Sequence, residues 1–480
     1  MAQTRALLGT LKQRIIASVA VSALLFLYMA RYTETPLSSS SSSSSTSPSP
    51  HSSAPSTIFT GPLHQLPRTL DLSSAAAPFV AQPLARVCAE AGAPVPGLVF
   101  LCDNNSGGPG NIRNYILTCL RYAAEAGATA LVAPRIRARS ASDLSDIMRA
   151  HRDLGYLFDA AHFRAGLAAA CPGMALYDRL EDVPNVLEKA QREGLYDVEK
   201  MIERVTPRQE FGRRGGCDPR DLNRHTDRFG SRFRSWLETS AAERGHAPVA
   251  YESPRVIRLN WGVLWDWEVL RDGPEFVATY GGLLRFRADL VELAGAVVEA
   301  LRREARATSA LSGGRNESFL AVHLRTEEDA LKEWPSFDVQ ADGYMAETIR
   351  QGYQGGLAYL ASGSETESLK FRDQARKVVQ LEVRTKFDLL GGNDLEKLKE
   401  LTWDQQAVVD FVVLLEADYF LGVSPSSFSI NVALKRHLRT GGLFTRPWKV
   451  GGSGDGRSHI VGSYTKYWDD WLFMYDGMWP

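Results

Sequence analysis

The chain has 480 residues, of which 44% are hydrophobic and 23% are charged, and its formal net charge is −1. This composition is that of globular proteins, and the length indicates about two or three domains. A balanced charge provides no overall field that attracts nucleic acid, so a nucleic-acid-binding function is not expected.

Cysteine is scarce and shows no metal-binding pattern. The five cysteines are Cys88, Cys102, Cys119, Cys171 and Cys217. No CxxC pair or Cys/His pair has the spacing of a zinc site, so no structural metal is expected. One or two disulfides can form if the domain is lumenal, and at least one cysteine is then left unpaired or bonded to another chain.

A short apolar segment occupies residues 15–30, with three basic residues before it and Arg31 after it. Its length is at the lower limit for a membrane span, and a cleaved signal peptide is the alternative because its apolar core is also short. The segment ends without a small-residue cleavage site, and the excess of positive charge lies on its N-terminal side. We therefore expect an uncleaved transmembrane signal anchor, with residues 1–14 in the cytosol.

A stalk is predicted at residues 31–90. Serine and proline dominate residues 37–56, and serine is unbroken over residues 38–45. A segment of this composition cannot bury a core, so it is predicted to be disordered, and O-glycosylation is a further expectation.

The first half of the soluble part, predicted at residues 91–260, opens with a βαβ unit. The apolar stretch 97–102 predicts a buried strand, and the apolar spacing after Asn111 predicts a helix that ends at Gly127. A second strand is predicted at 129–133, which completes the unit.

The glycine turn, residues 103–110 (DNNSGGPG), joins the first strand of this unit to the helix. A turn of this kind lets backbone amides approach an anionic ligand at a helix N-terminus, and a tight structural turn is the alternative. The sequence has no GKS or GKT, which excludes a P-loop NTPase. Arg113 stands where a dinucleotide-binding fold needs its third glycine, so a dehydrogenase is not favoured.

The rest of the first half carries weaker patterns. Charged residues at 184–205 predict a helix, the glycine- and arginine-rich stretch 213–232 predicts a surface loop, and residues 256–259 predict another strand. A helical connection is predicted at 261–316, with a long amphipathic helix at 286–303. Three tryptophans at its start are expected in the core or in a cleft wall, because no basic groove accompanies them: Trp261, Trp265 and Trp267.

The second half, predicted at residues 317–480, opens with the stretch 319–329 (FLAVHLRTEED). An apolar run of strand length ends here in a charged cluster, which predicts a buried strand that delivers polar side chains to a sheet edge. Ligands bind at the carboxyl edge of open α/β sheets. Further strands are predicted at 357–361 and 419–423, with a helix at 403–416 between them.

The serine loop, residues 424–429, follows the last of these strands and precedes a helix. Serine hydroxyls and free amides at a helix start can hold phosphate, and an ordinary serine N-cap is the alternative. Two N-glycosylation sequons, at Asn104 and Asn316, are compatible with a lumenal location. Asn104 lies in the glycine turn and is expected to be bare if that turn binds a ligand.

Three motifs in this order resemble those of the protein O-fucosyltransferase-like superfamily. The first resembles G-x-x-G-N-x-x-R, with only Ile112 between its asparagine and arginine, and the second resembles H-x-R-x-E-x-D. The third is an acidic residue, a strand and S-S-F-S. The matching stretches are residues 107–113 for the first motif, His323, Arg325, Glu327 and Asp329 for the second, and Asp418 with residues 426–429 for the third. The candidate site residues within the first and third stretches are Gly108, Gly110, Asn111, Arg113, Asp418, Ser426, Ser427 and Phe428.

The resemblance implies an α/β fold of the GT-B type, in which two Rossmann-like domains face a cleft that binds GDP-fucose. It further implies inversion at fucose and chemistry without a metal, and the sequence has no DxD motif. A guanidinium must then offset the charge on the departing GDP, and Arg325 is the candidate. Glu327 is available either as the base for the acceptor hydroxyl or as a brace for Arg325.

The other matching residues are expected to bind the nucleotide sugar. The serine loop and the amides after it donate to the diphosphate, His323 orients the nucleotide, and Asp418 accepts from guanine nitrogens, as the resemblance implies. A structural salt-bridge cluster is the alternative for Arg325, Glu327 and Asp329.

The anchor, stalk and soluble domain together have the layout of type II Golgi glycosyltransferases. We therefore expect a Golgi or endoplasmic-reticulum membrane protein whose partners are GDP-fucose and a protein or glycan acceptor. Two alternatives stay open: a non-catalytic sugar- or nucleotide-binding protein of the same fold, and a GT-B transferase that uses another sugar nucleotide.

Overall fold

The structure is a computed structural model that describes residues 58–61, 65, 71–140, 143, 146–147, 150–211, 217–222, 224–243, 245, 247–311, 317–327, 329–330, 333–440 and 456–480. The predicted anchor at 15–30, the serine run and the Asn316 sequon lie outside these residues. Among the described residues, no helix combines the length and the apolarity needed to cross a bilayer. Residues 55–480 form one compact unit.

Two five-stranded parallel sheets organise this unit. The strands of the first sheet are β3 Val95–Leu101, β4 Ala128–Val132, β7 Ala175–Tyr177, β8 Ile202–Val205 and β9 Arg255–Leu259, in the order β7-β4-β3-β9-β8. The strands of the second sheet are β10 Leu320–His323, β11 Leu357–Ala361, β12 Glu382–Arg384, β13 Tyr419–Val423 and β14 Ser458–Val461, in the order β12-β11-β10-β13-β14. Two small pairs accompany them, β1 Ile58–Phe59 with β2 Phe79–Val80 and β5 Ile136–Arg137 with β6 His151–Arg152.

Strands β11 and β13 are continuous runs of buried, mostly apolar residues, and β4 is likewise buried with Thr129 as its one polar residue, as parallel strands covered on both faces require. The helices that cover the first sheet, or that join it to the second, are α1 Ala81–Glu90, α2 Pro109–Ala126, α3 Ala160–Ala170, α4 Val186–Arg192, α5 Pro207–Glu210, α6 Phe229–Glu243, α7 Pro274–Tyr280 and α8 Ala288–Leu311. The later helices are α9 Phe337–Arg350, α10 Glu365–Val379, α11 Lys386–Leu389, α12 Gly392–Glu400, α13 Trp403–Glu416, α14 Ser427–His437 and α15 Phe473–Asp476. Short 3-10 turns lie at Leu154–Tyr156, Leu180–Asp182, Val198–Met201, His225–Arg228, Trp261–Trp265, Val269–Asp272, Gly281–Leu283 and Leu438–Thr440.

The stalk boundary predicted at residue 90 is wrong, because β2 and α1 belong to the folded unit. Leu84 of α1 is buried, and Cys88 at the end of this helix forms a disulfide with Cys171. Compositional bias marks the serine-rich part of the stalk, but the last residues before position 90 have the apolar spacing of an amphipathic helix.

Two further expectations in the first half are corrected. The helix predicted at 184–205 covers only Val186–Arg192, the range of α4. It ends there because Gly194 takes a left-handed φ of 68°. The chain then forms edge strand β8 beside β9. The loop predicted at 213–232 contains the first turn of α6, whose Phe229 and Phe233 are buried. Both strand pairing and burial are long-range effects that local charge patterns do not show.

Candidate functional site

The carboxyl ends of both sheets border one cavity of about 790 Å³. The first half contributes the glycine turn, Arg139 and the tryptophans that follow β9. The second half contributes the segments that follow β10, β11, β12 and β13. Because parallel strands present their carboxyl ends at one edge, the two sheets bring distant loops together at this place.

The structure brings most of the predicted site residues to this cavity. Those that line it are Gly108, Asn111, His323, Arg325, Glu327, Asp329, Ser426, Ser427 and Phe428. Gly110 does not line the cavity but contacts the backbone of Ser427, which does. Arg113 and Asp418 do not line the cavity.

The glycine turn and the serine loop contact each other through Gly110. A Cβ atom on Gly110 would lie 3.0 Å from the backbone oxygen of Ser427. Helix α2 begins at Pro109 without a side-chain cap, and α14 begins at Ser427 with Ser426 as its cap. Two helix N-termini, one from each half, therefore meet at the cavity wall, where their dipoles favour an anion.

We expect Gly110→Val to separate these two loops. Its side chain would press on the backbone of Ser427 rather than on a mobile side-chain end, and such overpacking costs about 1–3 kcal/mol of unfolding free energy. Chemical denaturation is the measurement, and the free energy of unfolding should fall. Gly295→Val in α8 is the matched control, because no atom lies within 4 Å of a Cβ at that position. Equal behaviour of the two variants would contradict the role of the close contact.

His323 ends β10 and is held on two sides. Its Nδ1 lies 2.7 Å from Ser429 Oγ, and its ring packs against Phe428 with 4.6 Å between centroids. Ser429 Oγ also accepts from the backbone N–H of Val423, so the hydroxyl proton is available to Nδ1. This arrangement favours a neutral imidazole that keeps its proton on Nε2 and can donate it to a ligand. Burial lowers the pKa of His323 to about 4.

This pKa predicts how stability depends on pH. Since the unfolded chain binds the proton near pH 6.5 and the folded chain only near pH 4, the unfolded state gains protons first as the pH falls. His323 therefore costs no stability above pH 6.5 and an increasing amount between pH 6.5 and 4, up to about 3 kcal/mol. Urea denaturation of the wild type and His323→Gln across this window tests the prediction. A pH-independent difference between the two proteins would contradict it.

Arg325 follows β10 and binds two carboxylates at once. It donates to Glu327 through Nη1 and to Asp329 Oδ1 through Nη2, the latter at 2.7 Å. Burial opposes its charge, but the two carboxylates raise the pKa of Arg325 above its ordinary value. A guanidinium has five N–H donors, so these two contacts orient the fork and leave three donors for a ligand.

Both carboxylate oxygens of Glu327 are engaged. One accepts from Arg325, and the other accepts from the backbone N–H of Gly363 at 2.6 Å. Glu327 is also buried. The geometry fits a brace for Arg325 better than a base that takes a proton from an incoming hydroxyl.

Arg113 lies away from the cavity, which corrects the expectation that it contacts the nucleotide sugar. Its guanidinium donates to the backbone oxygens of Trp479, at 2.7 Å, and of Pro480. Burial lowers the pKa of Arg113 to about 10. The single residue between Asn111 and Arg113 turns the arginine to another face of α2, where it anchors the C-terminal segment.

The expectation that Asp418 binds the nucleotide is also corrected. Asp418 precedes β13 and therefore lies at the amino edge of the sheet, away from the cavity. Its Oδ2 accepts from the backbone N–H of Phe319, the residue before β10, at 2.9 Å. The serine loop lies at the opposite end of the same strand. Asp418 therefore joins two strand starts and does not face the cavity.

Sequence reasoning missed several side chains that line the cavity. Arg139 donates to Asp329 Oδ2 at 2.5 Å, and its guanidinium lies 4.8 Å from the ring of Trp403. Lys386 donates to Asp410 Oδ2 at 2.8 Å. The only available signal was position, since Arg139 follows β4 and β5 and Lys386 follows β12, again at carboxyl ends of strands.

Comparison with protein-family models finds a match over residues 98–439 to the family described as GDP-fucose protein O-fucosyltransferase. Comparison with curated proteins finds no match.

Solved structures give weaker likenesses. POFUT1 in complex with GDP is 16% identical with a TM-score of 0.40, and the match covers 78% of this chain and 100% of that chain. A mutant of Arabidopsis thaliana FUT1 in complex with GDP is 12% identical with a TM-score of 0.36, covering 74% and 71%. The fucosyltransferase NodZ from Bradyrhizobium is 13% identical with a TM-score of 0.33, covering 71% and 92%.

The family match includes the last four residues of β3, the glycine turn, β10 with its charged cluster, and the serine loop. It therefore contains every cavity-lining residue of the three motifs. The chain belongs to the GDP-fucose protein O-fucosyltransferase family and is a glycosyltransferase.

Proposed function

We propose that this chain transfers fucose from GDP-fucose to a hydroxyl of a protein or glycan acceptor, with inversion at fucose and without a metal. The half that runs from β2 and α1 to β9, and the half at residues 317–480, would act as the two Rossmann-like domains of a GT-B fold. The observation that carries the proposal is the shared cavity, which is lined both by an arginine held by two carboxylates and by the N-termini of two helices.

The second sheet is suited to the nucleotide. In chain order its strands lie 3-2-1-4-5, which is the order of dinucleotide-binding sheets. Ligands of such sheets bind where the strand order reverses, here between β10 and β13. His323 and the serine loop lie at that point. The diphosphate would thus receive donors from the serine loop and from the N-terminus of α14.

Arg325 would stabilise the charge that develops on the departing GDP. The acceptor hydroxyl oxygen would bond to the anomeric carbon of fucose as the bond from that carbon to the diphosphate breaks, which leaves the electron pair of the broken bond on a phosphate oxygen and releases the hydroxyl proton to water. A permanently charged, oriented fork offsets that charge without having to reorganise. Among the described residues, no group of three or more His, Cys, Asp or Glu side chains has a metal-binding arrangement. Metal independence stays a proposal that assays with and without chelator would test.

The acceptor would enter from the first half. Trp261 and Trp265 line the cavity there, whereas Trp267 is fully buried in the core. Aromatic walls of this kind provide rigid apolar area against which an acceptor can be oriented. Whether the acceptor is protein or glycan is left to assay.

The proposed location is the lumen of the Golgi or endoplasmic reticulum, with the chain anchored as a type II membrane protein. Two disulfides support an oxidising compartment: Cys88–Cys171 and Cys102–Cys119. Cys217 is buried as a free thiol. The basic flank before the anchor supports the orientation.

Thermal unfolding with nucleotides tests the donor. A ligand that binds only the folded state raises its stability, so GDP and GDP-fucose should raise the melting temperature by a few degrees and UDP should not. GDP release from GDP-fucose with acceptor panels then separates an enzyme from a binding protein. Stabilisation by UDP instead of GDP would favour another sugar nucleotide. Absence of any nucleotide effect would contradict the proposal.

A further inference from the structure

Arg139 of the first half forms ion pairs with Asp329 and Asp404 of the second half at the edge of the cavity. Arg139, after β5, donates from Nη1 to Asp329 Oδ2 at 2.5 Å and from its backbone N–H to Asp404 Oδ2 at 2.9 Å. Its side chain is only 4% exposed, and its guanidinium lies 4.8 Å from the ring of Trp403. The first half thereby reaches three side chains of the second half through one arginine.

Asp329 links this arginine to Arg325. Its Oδ1 accepts from Arg325 at 2.7 Å, and its Oδ2 accepts from Arg139 at 2.5 Å. Although burial raises the pKa of this carboxyl, the two arginines hold the pKa of Asp329 below its ordinary value. A carboxylate bound on one oxygen can still rotate about its terminal torsion, which is broad and shallow. A second guanidinium on the other oxygen removes that freedom.

The charges around Asp329 also depend on Arg139. Two arginines, Arg325 and Arg139, face the carboxylates of Glu327, Asp329 and Asp404. Loss of Arg139 would leave Glu327 and Asp329 facing Arg325 alone and would take from Asp404 its ion pair with the Arg139 guanidinium. The remaining guanidinium would be drawn further toward the carboxylates, at the expense of the diphosphate.

We propose that Arg139 is a positioning residue for the transfer reaction: it fixes Asp329 so that Arg325 presents its free donors to the diphosphate. This inference rests on the proposed function. It assigns the role to a residue outside the three motifs, and it makes the geometry of the donor site depend on contact between the two halves. Arg139 acts through Asp329 and needs no contact of its own with the nucleotide.

The test compares Arg139→Gln with a matched control, Arg121→Gln. Arg121 also forms a buried ion pair, with Asp272 at 2.7 Å and both side chains 5% exposed, and its guanidinium lies 4.3 Å from the ring of Trp267. Neither Arg121 nor Asp272 lines the cavity. The substitution thus removes the same kinds of interaction away from the site. Arg139→Lys is a second variant, which keeps the positive charge and loses the guanidinium fork. It replaces Arg139→Gln if that variant does not fold.

We expect Arg139→Gln to lower kcat for GDP release from GDP-fucose by about 10- to 100-fold, as misplacement of a catalytic group does. The Kd for GDP and the KM for GDP-fucose should change little, because the contacts of Arg325 with the diphosphate stabilise mainly the transition state, in which the bond from fucose to the diphosphate breaks. Arg139→Lys should fall between this variant and the wild type. Arg121→Gln should lose comparable stability in urea and keep its kcat.

A double-mutant cycle supplies the decisive comparison. If Arg139 acts through Asp329, then Arg139→Gln combined with Asp329→Asn should lose no more activity than Asp329→Asn alone. Multiplied losses would overturn the positioning role, as would an unchanged kcat in Arg139→Gln. A large rise in the Kd for GDP with kcat retained would show that Arg139 grips the phosphates itself, which also overturns it. Wild-type protein that releases no GDP would instead refute the proposed function, and this inference with it.

Discussion

Arg325→Ala is expected to lower the rate of fucose transfer by about 100- to 1,000-fold, the cost of removing one preorganised donor from a developing oxyanion. The loss should fall mainly on kcat, because the charge on the diphosphate grows as the bond breaks. GDP binding should persist through the serine loop and the N-terminus of α14. Steady-state assays with GDP-fucose, together with GDP titration, separate the two effects.

Arg325→Lys tests whether the reaction needs the guanidinium fork or only a positive charge. A lysine keeps the charge but cannot bind Glu327 and Asp329 at the same time while presenting a planar fork to the phosphates. It should therefore lose most of the activity. Arg350→Ala is the matched control in the same half, since Arg350 pairs with Glu347 at the surface and lies outside the cavity. If Arg325→Ala transfers fucose at the wild-type rate while GDP still binds, Arg325 has no catalytic role.

Among the substitutions considered, removal of the disulfide between Cys88 and Cys171 should lower the free energy of unfolding most. The bond closes a loop with a sequence separation of 83, and loss of a cross-link over such a loop costs about 4 kcal/mol of unfolding free energy in the chain-entropy model. It ties α1 to the end of α3, so its loss releases the element that precedes the first sheet. Urea denaturation of Cys88→Ala/Cys171→Ala is the measurement.

Cys217→Ala provides the control for this loss. It removes a buried thiol that closes no loop, so only a small packing cost is expected. Reducing agent breaks both disulfides, so it should destabilise the wild type at least as much as Cys88→Ala/Cys171→Ala does. A double alanine variant as stable as Cys217→Ala would contradict the stabilising role of the cross-link, and it would remove one argument for a lumenal location.

The motifs predicted the part of the cavity wall formed by β10 and the serine loop better than the rest of the wall. His323, Arg325 and the serine loop all follow apolar runs of strand length, and a residue that follows a parallel strand lies at the carboxyl edge of its sheet. The same rule places Asp418, which precedes its strand, at the opposite edge. The motif predicts a nucleotide contact for Asp418, whereas its carboxylate accepts from the backbone N–H of Phe319 at the amino edge of the sheet.

Arg113 and Arg139 show what local sequence does not contain. Both follow the glycine turn or the next strand, and both are arginines in the first half. One is buried against the C-terminal segment, and the other reaches Asp329, which lies 190 positions later. Only the packing of the second half against the first decides which arginine meets a carboxylate and which meets backbone oxygens.

The sequence by itself determined the strands and helices that flank the glycine turn, β10 and the serine loop, together with the three motifs and their family, because apolar periodicity and motif spacing are local properties of the chain. The tertiary structure alone decided the strand order, the cavity shared by both sheets and the chain of ion pairs from Arg139 through Asp329 to Arg325. These depend on contacts between residues far apart in sequence, whose energies exist only once both halves are folded and water is excluded from between them.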